Sequence, residues 1–203
     1  MTDKVLLNKN SLALLKNELE EYQNILPVFE MKEKELKAAL QSIEHKIDVL
    51  KEQVRINNTK TKKWAAVMAE DVIDLEILAT ISKIDTHIQE TAGLNIQTVQ
   101  GIEFTEPIID QMNLPFWIGA AQNSIRKQSS LMVKLDIQLK NQGMVEEELA
   151  EARRMKNALK EVFIPETKAK IRKIEIYLGD VERLSIGCAK LVKKKKQQKT
   201  VEA

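Results

Sequence analysis

Between residues 15 and 54 the apolar positions recur at alternating steps of four and three. They are Leu15, Leu19, Tyr22, Leu26, Phe29, Leu36, Leu40, Ile43, Ile47, Leu50 and Val54, with Glu33 the one polar member. A 3.5-residue repeat draws one narrow stripe along a helix, and a second helix that supercoils with the first buries such a stripe. At 1.5 Å per residue the stripe is roughly 60 Å long, too long for the core of a compact domain. Asn10 and Ser11 supply an N-cap ahead of it. Pro27 removes one hydrogen bond and crowds the carbonyl of Gln23, which predicts a bend with the register kept on both sides. Residues 55–63 are polar and read as a hinge or as a hydrated continuation of the same helix.

Apolar residues return at Trp64, Met68, Val72 and Leu75, then at Ile77, Ile81, Ile84 and Ile88. This spacing predicts a second helix ending near Gly93, which suits a left-handed C-cap. In residues 94–107 the pattern becomes two-fold: Ile96 and Thr98, then Ile102 and Phe104, alternate with polar residues around Gln100-Gly101. That predicts a β-hairpin turning at Gln100-Gly101. A lone hairpin must lean on a helix or a partner. A further helix is expected from Phe116-Trp117. Met132, Leu135 and Leu139 form one run, Gly143 marks a weak point, and Val145, Leu149, Ala152, Leu159 and Phe163 follow. Ile174, Tyr177, Val181, Leu184, Cys188 and Leu191 form a second 4-3 run, with Pro165 before it and Lys193–Lys196 after it.

These patterns predict an all-α fold: a long antiparallel two-helix coiled coil of the N- and C-terminal helices, with a short helical middle region carrying a β-hairpin. The expected division is an N-terminal coiled-coil helix at 1–63, a middle region at 64–116 with its hairpin near 95–106, a C-terminal coiled-coil helix at 117–196 and a polar tail at 197–203. The expected coil core is Leu15, Leu19, Leu26, Leu36, Leu40, Ile43, Ile47, Leu50, Val54, Leu159, Phe163, Ile174, Tyr177, Val181 and Leu184. Pairing within one chain is favoured over pairing between chains because its effective concentration is high.

Composition agrees with long helices: charged residues make up 31% and aromatics 4%, with 6 Gly and 4 Pro. A net charge of +2 does not make the whole chain a polycation. The single cysteine, Cys188, excludes an internal disulfide, fits a reducing compartment and sits in apolar register, so it reads as a small core residue. No apolar run approaches a membrane span and no signal-peptide core opens the chain, so a soluble cytoplasmic protein without direct membrane insertion is expected. There is no Gly-rich phosphate loop, metal-ligand cluster or nucleophile–base pattern, so no cofactor, metal site or catalytic residue is expected. His45, His87 and the Glu146-Glu147-Glu148 run read as solvated helix faces, and Trp64 and Trp117 as packing residues.

The segment around Arg153, Arg154, Asn157, Ala158 and Leu159, leading into Ile164, Pro165, Ile171 and Ile174, resembles the C-terminal helix of the D subunit of the V-type and A-type rotary ATPases. The stretch after Gly93 resembles that family's short hairpin, and the N-terminal helix is similar in pattern. The resemblance implies a non-catalytic central rotor shaft. Its coil would enter the hexamer of catalytic A and B subunits, while its middle would bind the small F subunit of the stalk and seat on the subunit capping the membrane ring. It would couple ATP hydrolysis or synthesis to ion translocation, as part of the soluble sector peripheral to the membrane. Hexamer contacts would fall at Lys190, Leu191, Lys193 and Lys194, and contacts to the middle-region partner at Ile96, Ile102 and Phe104. Two other readings stay open on the residues alone. One is a coiled-coil tether. The other is a polyanion binder acting through residues 190–199, although the shaft reading needs no nucleic acid.

Overall fold

The computed structural model describes residues 6–63, 77–106, 115 and 117–201. Helix α1 spans Lys9–Lys62. A 3₁₀ turn at Ile77–Ala79 leads into strands β1 (Ile81–Thr91) and β2 (Leu94–Phe104). Helix α2 (Ile118–Ala158), a π turn (Leu159–Phe163) and helix α3 (Ile164–Val201) complete the order. The chain is mostly helical, with one two-stranded antiparallel sheet. Trp64, Met68, Val72 and Leu75 lie outside the described residues.

The cap of α1 is Asn8, whose Oδ1 accepts the Ser11 backbone N–H at 2.6 Å. It lies ahead of the expected Asn10 and Ser11, because the hydrogen bond that closes the first turn begins at Asn8. Pro27 lies inside the unbroken helix. Residues 55–62 are not a hinge but the last turns of α1. The shielded side chains of α1 follow the 4-3 stripe: Leu15, Leu19, Leu26, Leu40, Leu50 and Val54 are half-buried, and Leu36, Ile43 and Ile47 are buried. The stripe continues past the apolar letters to buried Asn57 and half-buried Thr61.

The chain forms two compact units, Met1–Met31 with Ala152–Ala203, and Lys32–Glu151. In the first unit, Lys16 pairs with Glu175 and the Tyr22 ring stacks on Phe163, with centroids 5.6 Å apart. The higher number on one helix meets the lower on the other, so the two segments run antiparallel. In the second unit, Lys32 bridges to Glu148 and Asn57 donates to Gln128 Oε1 at 2.9 Å, again antiparallel. Leu36, Ile43 and Ile47 lie between these levels on α1, and Leu131, Val145 and Leu149 are buried on α2.

Two expectations about helical register are corrected. Met132 and Leu139 point outward at 50% and 44% exposure, and Leu131, Leu135 and Gln138 hold the inward positions. After Leu159 the inward side chains are Ile164, Thr167, Ile171, Ile174 and Leu178. The expected core residues Phe163, Tyr177, Val181 and Leu184 are exposed at 40, 45, 45 and 69%. The π turn accounts for Phe163. The Ile164 N–H bonds to the Leu159 carbonyl five residues back, so one extra residue enters that turn. Pro165 follows, with no N–H of its own and a ring that crowds the carbonyl four residues earlier. From buried Ile174 the next inward step is four residues, to Leu178, and Val181 and Leu184 lie where α3 reaches and passes the start of α1. Cys188 is also exposed and is not a core residue, as are all side chains at 180–196. From the Lys16–Glu175 pair, α1 reaches its first residue, Lys9, as α3 reaches Glu182, so α3 outruns its neighbour.

The hairpin is corrected more deeply. The expected helix through Ile81, Ile84 and Ile88 is strand β1, and Gln100-Gly101 is no turn but lies within β2. The turn is Ala92-Gly93, between the pair Thr91 and Leu94. Both turn residues have positive φ, 52° and 81°, as a type I′ hairpin requires. Gln100-Gly101 forms a bulge: Asp85 pairs with Gly101 and Thr86 with Val99, leaving Gln100 without a cross-strand partner.

Candidate interaction surface of the hairpin and its helices

Arg126 of α2 ties down both feet of the hairpin. Its Nε donates to the Leu78 carbonyl at 3.0 Å, just before β1. One terminal nitrogen donates to the Thr105 carbonyl at 3.1 Å and the other to Glu106 at 2.9 Å, just after β2. The guanidinium also lies over the Phe104 ring, 5.3 Å from its centroid. A planar fork with five donors spread over three nitrogens suits this task, where a lysine offers its donors from a single point.

Asn141, further along α2, holds the middle of β2. Its Oδ1 accepts the Gln97 N–H at 3.2 Å and its Nδ2 donates to the Gln97 carbonyl at 2.6 Å. The amide copies the edge of a neighbouring strand. Asn141 is 1% exposed, so its amide is shielded from water, although Gln97 itself is an exposed residue. Elsewhere between α1 and α2, Asn57 donates to Gln128, and the hydroxyls of Thr61 and Ser124 lie 2.8 Å apart.

Cross-strand partners share a face. Ile84 lies beside Ile102, Thr86 beside Val99 and Ile88 beside Gln97, whereas Ile96 lies beside Gln89 on the other face. The expected partner-contact residues Ile96, Ile102 and Phe104 are half-buried, and Phe104 is covered by Arg126. The more open apolar residues are Ile84 and Ile88, at 40% and 55%. The pattern of the sequence concealed them by placing them on a helix. An open cleft of about 380 Å³ lies where α1, α2 and β2 meet, lined by His45, Lys46, Val49, Leu50, Thr98, Val99, Lys134 and Gln138. His45 and His87 are exposed, or nearly so, and Trp117 is buried. Glu146 and Glu147 are exposed, while Glu148 is drawn into the bridge with Lys32.

The expected hexamer-contact residues Lys190, Leu191, Lys193 and Lys194 are exposed on α3, beyond the level at which α1 begins. Among the described residues no group of three or more His, Cys, Asp or Glu side chains could hold a metal ion. Among the same residues no helix is long and apolar enough to cross a membrane. The arrangement offers packing faces, buried polar clamps and exposed apolar and basic surface.

Comparison with known proteins decides the family. The model of the family of ATP synthase D subunits matches residues 11–194. The chain belongs to this family. It is similar to the D subunit of V-type ATP synthase in Borreliella burgdorferi, with 27% identity over 192 residues covering 94% of each chain. It is also similar to the proteins of that name in Chlamydia abortus, 24% identical over 100% of this chain and 99% of the relative, and Chlamydia caviae, 25% identical over the same shares. The D subunit is a structural stalk component of the rotary ATPase and is not catalytic. As such it works in association with other ATPase subunits.

Proposed function

We propose that this chain is the central rotor shaft of its ATPase, coupling ATP hydrolysis or synthesis in the A/B hexamer to ion movement through the membrane ring. The observation that carries the reading is the shielded 4-3 stripe of α1, from Leu15 to Thr61. A continuous stripe of this kind supports a supercoiled, torsionally stiff pairing of the terminal helices. In that coil the core would be Leu15, Leu19, Leu26, Leu36, Leu40, Ile43, Ile47, Leu50 and Val54 on one side and Leu159, Ile171 and Ile174 on the other. The division into a helix at 1–63, a middle at 64–116, a helix at 117–196 and a tail at 197–203 then corresponds to shaft, seat and tip.

The exposed end of α3, with Lys190, Leu191, Lys193 and Lys194, would meet the A and B subunits. The middle, including the hairpin, would meet the small F subunit of the stalk and the subunit that caps the ring. The protein then lies peripheral to the membrane in the cytoplasmic, soluble sector. Exposed ion pairs such as Arg183–Asp180 are individually weak, which suits a surface that must turn past many positions.

Reconstitution with the A and B subunits tests this, with ATPase activity and rotation as readouts. Removing residues 198–203 should leave both unchanged. Removing everything from Ser185 onward should weaken assembly or coupling. A chain truncated at Ser185 that behaves like the full one would overturn the assignment of this end to the hexamer.

A further inference from the structure

The cleft beneath β2 holds a feature that its packing alone does not explain. Gln138 is 8% exposed, and its Oε1 is buried with no hydrogen-bond partner. A buried acceptor without a donor is uncommon in a native fold, and each instance asks for a reason. The cleft around it combines apolar surface from Val49, Leu50 and Val99 with the ammonium groups of Lys46 and Lys134. No acidic residue lines it. Among the described residues neither lysine has an ion-pair partner. At about 380 Å³ it lies within the size range of sites that hold a small ligand or an inserted side chain.

The geometry points to this cleft as the docking socket for an acidic segment of a partner subunit. One aromatic side chain with an N–H or O–H donor inserts against Val49, Leu50 and Val99, and the Gln138 amide turns toward the cleft so that its Oε1 accepts from that donor. A flanking carboxylate meets Lys46 or Lys134. A protein segment fits better than a free metabolite because the apolar face does not stop at the cleft. Val99 lies beside Thr86, and Ile84 and Ile88 continue the same face of β1, open to solvent. Val49 is itself 43% exposed. An inserted anchor with an apolar and acidic surround covers all of these, in the manner of an interface hot spot. The identity of the partner as an ATPase subunit rests on the stalk reading above; the chemistry of the cleft does not.

The test uses indole-3-propionate as a probe, since it carries an apolar ring, an N–H donor and a carboxylate. Titrated into the isotope-labelled full chain, it should give saturable amide shifts confined to residues 45–50, 98–99 and 134–138. The N-methylated analogue, which lacks the donor, should bind about fivefold more weakly. The double variant Lys46→Glu/Lys134→Glu should lose probe binding and weaken assembly with the ATPase subunits about tenfold or more. Lys51→Glu, an exposed control on the same helix, should do neither, and circular dichroism checks that both variants fold. In the assembled complex the probe should no longer bind.

Scattered shifts, or equal affinity for the two probes, would overturn the socket. Undiminished probe binding in the assembled complex would show a site for a free small molecule and would overturn the docking role. If the native chain assembled with no ATPase subunit, the stalk reading and the partner's identity would fall. The titration would still decide the chemistry of the cleft.

Discussion

Asn141 shows how much one side chain can decide. It holds both backbone groups of Gln97 from a position 1% exposed, so its replacement removes two hydrogen bonds at once. Asn141→Ala should cost about 1–3 kcal/mol, with faster amide exchange at Gln97 as the local readout and urea unfolding as the global one. No sequence pattern announced this residue, because an Asn on a helix reads as solvated until a strand is laid against it. Tyr22 carries a different signature. Its hydroxyl donates to Glu18 at 2.6 Å, and this hydrogen bond, with partial burial and the nearby Glu18 and Glu21 charges, raises the phenol above its ordinary value. The folded value lies above the unfolded one, so the contribution is complete below about pH 10 and is lost as the pH rises beyond it. With Tyr177→Phe leaving Tyr22 as the sole tyrosine, an absorbance titration should give a midpoint above that of a free tyrosine. Adding Glu18→Gln should lower it.

At the scale of elements, the hairpin was hard to read from the sequence for identifiable reasons. Its turn is Ala92-Gly93, which lacks the Asn-Gly or Asp-Gly letters that announce a type I′ turn. Ile81, Ile84 and Ile88 recur at near-helical spacing, because a register irregularity between Ile81 and Lys83 sets Ile81 and Ile84 on one face three residues apart. Ala92 occupies a left-handed conformation, φ 52°, that an alanine side chain disfavours. Ala92→Asn should therefore stabilise the chain by about 0.5–1 kcal/mol, read as a higher urea midpoint and slower exchange in β1 and β2. The π turn is the helical counterpart. The Ile-Pro pair was visible in the sequence, but the extra residue that the turn absorbs was not, and so Phe163 was assigned to the inward face in place of Ile164.

For the whole molecule, burial separates the two ends of the apolar pattern. Leu36 is fully buried and Leu184 is 69% exposed, although both occupy good heptad positions by letter. Leu36→Ala should cost about 2–5 kcal/mol in urea unfolding of the purified chain. Leu184→Ala should change it by less than about 0.5 kcal/mol. The same Leu184→Ala chain tested in the reconstituted ATPase should show a loss of assembly or coupling, since an exposed apolar run beyond the end of α1 has value only against a partner. Equal effects of the two substitutions on the isolated chain would contradict the burial described above.

The sequence by itself determined that the chain would be built on long helices, and it placed the inward face of α1 from Leu15 to Val54. A 3.5-residue repeat is local information, and it names a helix face whatever that face meets. It also carried the family, through the segment from Arg153 to Ile174. Only the tertiary structure decided where β1 begins, where the hairpin turns, which face α3 presents after Leu159, and that Asn57, Gln138 and Asn141 are buried. Each of these depends on a partner distant in sequence: a strand edge for Asn141, a helix neighbour for Asn57, and a cross-strand register for Gly101. A turn absorbing one extra residue rotates everything after it, and no window of letters short of that turn records the rotation.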